Sequence, residues 1–168
     1  MSYGGDESEG VGFATSRGRD WPSVRQFNVF LANRLGALLN VARHFEGTDV
    51  RIIALSIVDS TDCAIIRVLL SDPERAYEIF EQANLPFTES DLLVVTLPEG
   101  KQPLLQICKA LLGAEISIHY AYPLMAGHAG QAALALHVEN IETASHHLQQ
   151  NGFTLLSEND LNEAHPEG

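Results

Sequence analysis

The chain has 168 residues, of which 45% are hydrophobic, so it is long enough for one ordinary domain or two small ones with a true core. Its 22 acidic residues outnumber its 10 Lys and Arg, a balance that argues against nucleic acid and anionic membranes as partners. No apolar run reaches the roughly 18 residues of a membrane span. The two cysteines, Cys63 and Cys108, form neither a disulfide framework nor a zinc motif. These totals favour a small-molecule ligand and a reducing, cytoplasmic location.

Both ends of the chain are predicted to be solvated tails. Residues 1–24 are rich in Gly, Ser and acidic residues, and they lack the apolar stretch of a secretory signal. Residues 158–168 have a similar acidic composition. The folded part is therefore expected between these two segments.

Between the tails, the hydrophobic pattern alternates between the two-residue period of a strand and the 3.6-residue period of a helix. The pattern predicts strands at 26–32, 50–58, 64–70, 91–97, 115–122, 131–138 and 153–156. It predicts helices at 36–46, from Pro73 onward, at 103–112 and at 141–151. Asp72 and Asn140 are the predicted N-cap residues of the second and fourth helices, and Gly152 is predicted to end the fourth.

The same order of elements occurs twice. Residues 36–45 align with 102–111 at a shift of 66, and the second helix of each half aligns at a shift of 68. Each half has the βαββαβ order of a ferredoxin-like sandwich, in which both helices lie on one face of an antiparallel sheet. The sequence therefore predicts an α+β fold with two such units in tandem, at 25–97 and 91–157, and a shared boundary near 90–98.

The face of the first sheet opposite the helices is predicted to be apolar. Its members by parity are Ile53, Leu55, Ile57, Ile65 and Leu69. A face in contact with water is normally polar. Unless the parity is shifted by one residue, another subunit or a partner is expected to cover this face.

The segment between the first strand and the first helix is the candidate ligand site: Asn33, Arg34, Leu35, Gly36, Ala37 and Leu38. A Gly at the start of a helix lets a ligand approach the backbone, and the N–H groups of a first turn favour a carboxylate. The side chain of Asn33 can both donate and accept a hydrogen bond. These groups suit an amino acid, although an ordinary turn would have the same composition.

The segments NRLGALLNVARHF, DVRIIALSIVDSTDCAIIRVLLSDPERAYEIF and ISIHYAYPLMAGHAGQAALALHVENIETASHHL resemble the ACT domain family. The tandem order resembles small stand-alone tandem ACT proteins, and the resemblance covers about residues 25–160. Asn33 and Gly36 match the family pattern Asn-x-Pro-Gly, with Leu35 in place of Pro. In the second repeat, Glu99 and Gln102 stand in place of Asn33 and Gly36. Because a carboxylate at Glu99 would repel the carboxylate of a ligand, a site is expected at the first loop only.

The resemblance implies ligand-gated regulation of a partner enzyme by a homo-oligomer, without catalysis, cofactor or metal. ACT domains commonly bind an amino acid between two units, where the loop after strand one faces the second strand of its neighbour, and two units pair into an eight-stranded sheet. The residues expected to face the ligand come from the second strands of the two repeats: Leu55, Ile57, Asp59, His119, Tyr120 and Tyr122.

Two other functions remain open. The chain could be an oligomerisation module with a decayed pocket, which the departures at Leu35 and Glu99 favour. It could also be a metal-dependent enzyme that uses His and Asp side chains between the repeats. The histidines at 119, 128, 137 and 146 invite that interpretation, but their spacing crosses two strands, a turn and a helix and does not predict converging ligands.

Overall fold

A computed structural model describes residues 21–32 and 35–163 of the chain. In chain order the elements are β1 (Val24–Leu31), α1 (Ala37–Arg43), β2 (Ile52–Asp59), β3 (Ala64–Leu70), α2 (Pro73–Gln82), β4 (Phe87–Thr96), α3 (Pro103–Gly113), β5 (Ile118–Pro123), β6 (Ala133–Val138), α4 (Ile141–Gln150), β7 (Leu155–Leu156) and α5 (Glu158–Glu163). The predicted α+β fold with two βαββαβ units is confirmed, with β4 serving both units. None of the helices within the described residues is long and apolar enough to cross a membrane.

Local chemistry sets the start of α2 and of α4. The side chain of Asp72 accepts a hydrogen bond from the backbone N–H of Arg75, and Asn140 accepts one from Thr143. Each interaction satisfies one of the free N–H groups of a first helical turn. The two predicted N-caps are therefore confirmed.

Strand β4 pairs with strands of both repeats. Its residues from Phe87 to Leu92 pair antiparallel with β1, and its residues from Leu93 to Thr96 pair with β6. Strand β7 pairs with the same late part of β4 on its other edge, in line with β1. The described strands thus form one seven-stranded sheet, in which six strands have the order β2-β3-β1-β4-β6-β5 and β7 also pairs with β4. It is not the eight-stranded sheet that the family resemblance implied. The count differs because one strand closes the first unit and opens the second.

The helices pack on one face of this sheet in two separate cores. In the first core, the rings of Phe27, Phe45 and Phe80 meet edge to face beneath α1 and α2. In the second core, Ile107 and Leu111 of α3 pack with Leu148 of α4 against β4 and β6. This arrangement leaves the opposite face of both halves, which we call the helix-free face, without any of the helices α1 to α4.

The two helix-free faces pack against each other and form a third core, which we call the seam. Its buried residues come from both repeats: Val24, Ile53, Ala54, Leu69, Leu92, Val94, Tyr122, Leu124, Ala133, Ala135, Leu156 and Leu161. The backbone N–H of Met125 donates to the carbonyl of Ile53 at 2.9 Å, so the two edges of the sheet meet. The expectation that another subunit covers Ile53 and Leu69 is therefore wrong, because the second repeat of the same chain covers them.

A β-bulge in β2 changes which side chains face the seam. The register shifts between Ile52 and Ala54, after which Leu55 lies opposite Val68 and Ile57 lies opposite Ile66, on the helix side. The extra residue of a bulge shifts the alternation of side chains by one, so the predicted parity is wrong at Leu55 and Ile57. Strand β5 has the corresponding bulge between Ile118 and Tyr120, 66 residues later.

Residues Glu158–Glu163 form helix α5 and are not the solvated tail that their acidic composition predicted. Leu161 is buried in the seam, with 3% of its surface exposed. The carboxylate of Glu158 accepts the backbone N–H of Arg25 at 3.1 Å and pairs with its guanidinium at 3.5 Å. One apolar side chain and one buried ion pair are therefore enough to dock this segment. Val24, also assigned to a tail, begins β1, whereas residues 1–20 and 164–168 lie outside the described residues.

Replacement of Leu161 by Ala is expected to lower the free energy of unfolding by about 2–5 kcal/mol, because it leaves a cavity in the seam. The matched control is Leu39→Ala on α1, where 56% of the residue is exposed and the cost should stay below about 0.5 kcal/mol. Urea denaturation of both variants measures the difference. Equal costs would show that α5 is not docked as described.

Candidate functional site

The predicted ligand loop is described from Leu35 onward, since Asn33 and Arg34 lie outside the described residues. Gly36 is the N-cap residue of α1 with a φ of 71°, a left-handed conformation that favours glycine. Leu35 is 88% exposed, Leu38 is half-buried, and Ala37 is buried in the first core. An open groove leads from Gly36 along the outer side of α1. The described part of the loop is thus an exposed turn.

The second strands place the other predicted residues on different sides of the sheet. Leu55 packs against the first core, and Ile57, with 52% of its surface exposed, lies on the same side. Asp59 is exposed at the end of β2. Tyr120 and Tyr122 lie in the seam, so the structure does not bring the strand residues together in one group.

A buried amide links the two tyrosines to the first repeat. Gln26 is fully buried, and its Nε2 donates to Tyr120 Oη at 2.8 Å and to Asn28 Oδ1 at 2.7 Å. Tyr122 Oη donates to Gln26 Oε1 at 2.6 Å. Sequence reasoning missed Gln26. The signal was present, because side chains alternate along a strand and Gln26 therefore lies on the face opposite Phe27. These bonds fix β5 over β1.

A row of polar side chains crosses four strands on the seam side of the sheet. Cross-strand pairing puts Ser56 beside Arg67, Arg67 beside Asn28, and Asn28 beside Thr88. Asn28 Nδ2 also donates to Thr88 Oγ1 at 3.2 Å and to Ser90 Oγ at 3.0 Å. We call these five residues the polar row. It places the cation of Arg67 between the hydroxyl of Ser56 on one side and the amide and hydroxyl groups of Asn28, Thr88 and Ser90 on the other.

Arg67 contacts the second repeat through a ring and not through a carboxylate. Its guanidinium carbon lies 3.7 Å from the centroid of the Tyr120 ring, a cation–π contact between the repeats. Tyr120 in turn stacks on His137, with centroids 4.7 Å apart, and His119 lies 5.2 Å from His137. Among the described residues, no carboxylate pairs with Arg67.

The seam keeps two of its titratable groups neutral. Burial raises the pKa of the Tyr122 hydroxyl, so it remains a hydrogen-bond donor to Gln26. Burial also lowers the pKa of His137, and the nearby His119 and Arg67 lower it further. His137 is therefore uncharged at neutral pH.

A small cavity of about 70 Å³ lies between the repeats, and we call it the seam cavity. Its walls come from the start of β2, from the turn after β5 and from α5: Arg51, Ile52, Ile53, Met125, Ala126, Gly127, His128 and Leu161. Arg51 Nε and Nη2 and His128 Nδ1 are buried and have no hydrogen-bond partner among the residues that the structure describes. The sequence carried no signal for Arg51, and it showed His128 only as one of the evenly spaced histidines.

The histidines do not assemble a metal site within the part of the chain that the structure describes. No three His, Cys, Asp or Glu side chains in residues 21–32 and 35–163 lie together in a geometry that could hold a metal ion. The two cysteines, Cys63 and Cys108, are both half-buried free thiols.

Two ferredoxin-like units that share a strand and pack around a common seam define a tandem α+β domain pair. The model of the ACT domain pair matches residues 22–165, and this chain belongs to that family, whose domains bind small molecules and regulate enzymes. A comparison with curated proteins found no match.

Solved structures share this fold. The protein BT0572 from Bacteroides thetaiotaomicron is 22% identical with a TM-score of 0.77, over 86% of this chain and 99% of that one. The regulatory subunit of aspartate kinase from Thermus thermophilus is 11% identical with a TM-score of 0.51, over 79% of this chain and 95% of that one. The structure of the aspartokinase alpha and beta subunits is 10% identical with a TM-score of 0.50, over 77% of this chain and 91% of that one. At these identities the likeness shows the fold alone.

Replacement of His137 by Gln is expected to reduce the loss of stability on acidification. In the unfolded chain His137 titrates near 6.5, and in the folded chain its pKa is lower. The unfolded state therefore binds more protons between these values, so stability is full above 6.5 and falls as the pH drops toward the lowered pKa. Gln takes up no proton, so this contribution disappears.

The measurement is the melting temperature between about pH 7.5 and about pH 5.5. The control is His146→Gln, at an exposed position of α4. On acidification, the melting temperature of His137→Gln should decrease less than that of the wild type. The decrease for His146→Gln should equal that of the wild type. The same decrease in all three proteins would contradict the burial of His137 as a neutral group.

Proposed function

We propose that this chain is a regulatory protein that binds a free amino acid at the polar row. Binding of the amino acid would change how the chain regulates a partner enzyme. One observation carries the proposal. In a chain of net charge −12, Arg67 faces the seam with no carboxylate partner among the described residues. A ligand carboxylate would provide that partner.

The polar row matches the two charged groups of an amino acid. The cation–π contact uses the face of the Arg67 guanidinium and leaves its N–H edges available for a carboxylate. The oxygens of Asn28, Thr88 and Ser90 lie across the neighbouring strands, where they can accept hydrogen bonds from an ammonium group. The order of the strands thus spaces a cation and a set of acceptors along one line.

A ligand at this position would contact both repeats. Arg67 belongs to β3 of the first repeat, and Tyr120, against which it packs, belongs to β5 of the second. A ligand that binds one packing of the repeats more tightly than another shifts the population between them. Such a shift at the surface of the seam is what a partner enzyme would recognise.

Self-association is a second candidate function, and it rests on α3. Leu104 and Leu112 lie two turns apart on its outer side, Leu105 is adjacent, and all three are exposed. Clusters of exposed leucine mark interaction surfaces. We expect a homo-oligomer that Leu112→Glu dissociates in sedimentation velocity, whereas Leu35→Glu, at an exposed leucine outside α3, leaves it intact. A monomeric wild type would rule out this function.

A thermal-shift panel of the twenty amino acids tests ligand binding. One of them should raise the stability by about 2.7 kcal/mol at a hundredfold excess over its Kd. Arg67→Met should abolish the shift, and Arg75→Met, at an exposed position on α2, should retain it. No shift with any amino acid would disprove the amino-acid form of the proposal.

The same panel separates the polar row from the first loop. Gly36→Val introduces a β-branched side chain at a φ of 71° and disturbs the turn at which Asn33 to Leu38 were predicted to bind the ligand. The polar-row proposal expects Gly36→Val to bind normally once circular dichroism shows that it is folded. Loss of binding in Gly36→Val with retention in Arg67→Met would move the site to the first loop.

A further inference from the structure

We propose that the seam cavity is a separate binding site for a small monocarboxylate of two or three carbon atoms. None of the residues that line it belongs to the polar row, so the proposal does not depend on amino-acid binding there. It rests on three features of the cavity: an unpartnered guanidinium edge, an unpartnered imidazole nitrogen, and apolar walls that leave little room.

The guanidinium of Arg51 presents the edge that suits a carboxylate. Its unpartnered nitrogens are Nε and Nη2, whose N–H bonds point in parallel and bind both oxygens of a carboxylate at once. The backbone of Arg51 is held at both polar groups, since its N–H donates to Ser71 Oγ at 2.8 Å and its carbonyl accepts the Ser71 N–H at 2.9 Å. The side chain therefore projects into the seam cavity from a fixed backbone position directly before β2.

The opposite wall places an imidazole in the same cavity. His128 begins a two-residue hairpin turn in which its N–H donates to the carbonyl of Gln131 at 2.8 Å and its carbonyl accepts in return at 3.0 Å. The residues in the turn, Ala129 and Gly130, have φ values of 50° and 79°, as in a type I′ turn. This tight turn fixes the backbone from which the imidazole projects, and the buried Nδ1 adds a third hydrogen-bonding group to the two of Arg51.

The remaining walls limit the size and polarity of the ligand. A volume of about 70 Å³ is well below the roughly 300–1,000 Å³ of pockets for drug-sized ligands. Ile53, Met125 and Leu161 supply apolar side chains around the space that remains. A carboxylate with one or two further carbons, such as acetate or propionate, satisfies the charged edge and the apolar wall together.

The ligand would also connect the two repeats to the C-terminal helix. Arg51 belongs to the first repeat, His128 to the second, and Leu161 to α5. A bound carboxylate is therefore expected to slow the opening of α5, which Glu158 holds against Arg25. Amide hydrogen exchange of residues 158–163 measures this effect directly.

Titration with sodium acetate and sodium propionate, against sodium chloride at equal ionic strength, tests the proposal in the full chain. The melting temperature should rise with either carboxylate, exchange of the α5 amides should slow, and the imidazole resonances of His128 should shift. Arg51→Met keeps the length of the side chain and removes its charge, and it should lose all three responses. Arg75→Met, at an exposed position on α2, should keep them.

The two proposals can fail separately. Loss of the acetate response in Arg51→Met with an intact amino-acid response supports this site whatever the outcome at the polar row. The proposal is wrong if acetate and propionate leave the His128 resonances unchanged, or if Arg51→Met, shown to be folded by its circular dichroism, responds as the wild type does. If sodium chloride raises the melting temperature as much as the carboxylates do, the effect is general ionic screening, and the proposed site is wrong.

Discussion

The sharing of strand β4 between the repeats is the constraint on which the rest of the structure depends. Backbone hydrogen bonds join its early residues to β1 and its late residues to β6 and β7. Side chains alternate along a continuous strand, so Phe87 and Leu93 face the helices while Leu92 and Val94 face the seam. One strand therefore keeps the four helices α1 to α4 on the same side of the sheet, and the helix-free faces can only be buried against each other.

The buried polar side chains of the seam are of two kinds: those that hydrogen-bond to one another, and those with nitrogens that have no partner among the described residues. Gln26, Tyr120 and Tyr122 satisfy one another with hydrogen bonds of 2.6–2.8 Å, as buried polar groups generally do. Arg51 and His128 lie in the same seam with unsatisfied nitrogens. The first kind fixes how the repeats pack. The second leaves hydrogen-bonding capacity that none of the described residues uses.

Local signals in the sequence were sufficient for the fold class, the repeat and the caps at Asp72 and Asn140, because each depends on a few neighbouring residues. The seam was not predictable in this way. A bulge leaves no mark in the hydrophobic pattern, so Leu55 was placed on the wrong face, and the docking of α5 depends on one leucine, Leu161, in an acidic segment. For the site, the sequence could single out Tyr120 and Tyr122 as candidate seam residues. The importance of Arg51 and Arg67 follows from the partners they lack, which no local pattern records.

Arg25 differs from Arg51 and Arg67 in that carboxylates of the same chain pair with it. Arg25 is buried in the same protein, and three carboxylates surround it: Glu74 at 2.7 Å, Glu158 at 3.5 Å and Glu89 at 3.6 Å. A chain with 22 acidic residues does not lack carboxylates with which to neutralise an arginine that serves only its structure. Arg51 and Arg67 are half-buried, and no carboxylate of the described residues pairs with either of them, so each could bind a carboxylate from solution without losing an internal ion pair.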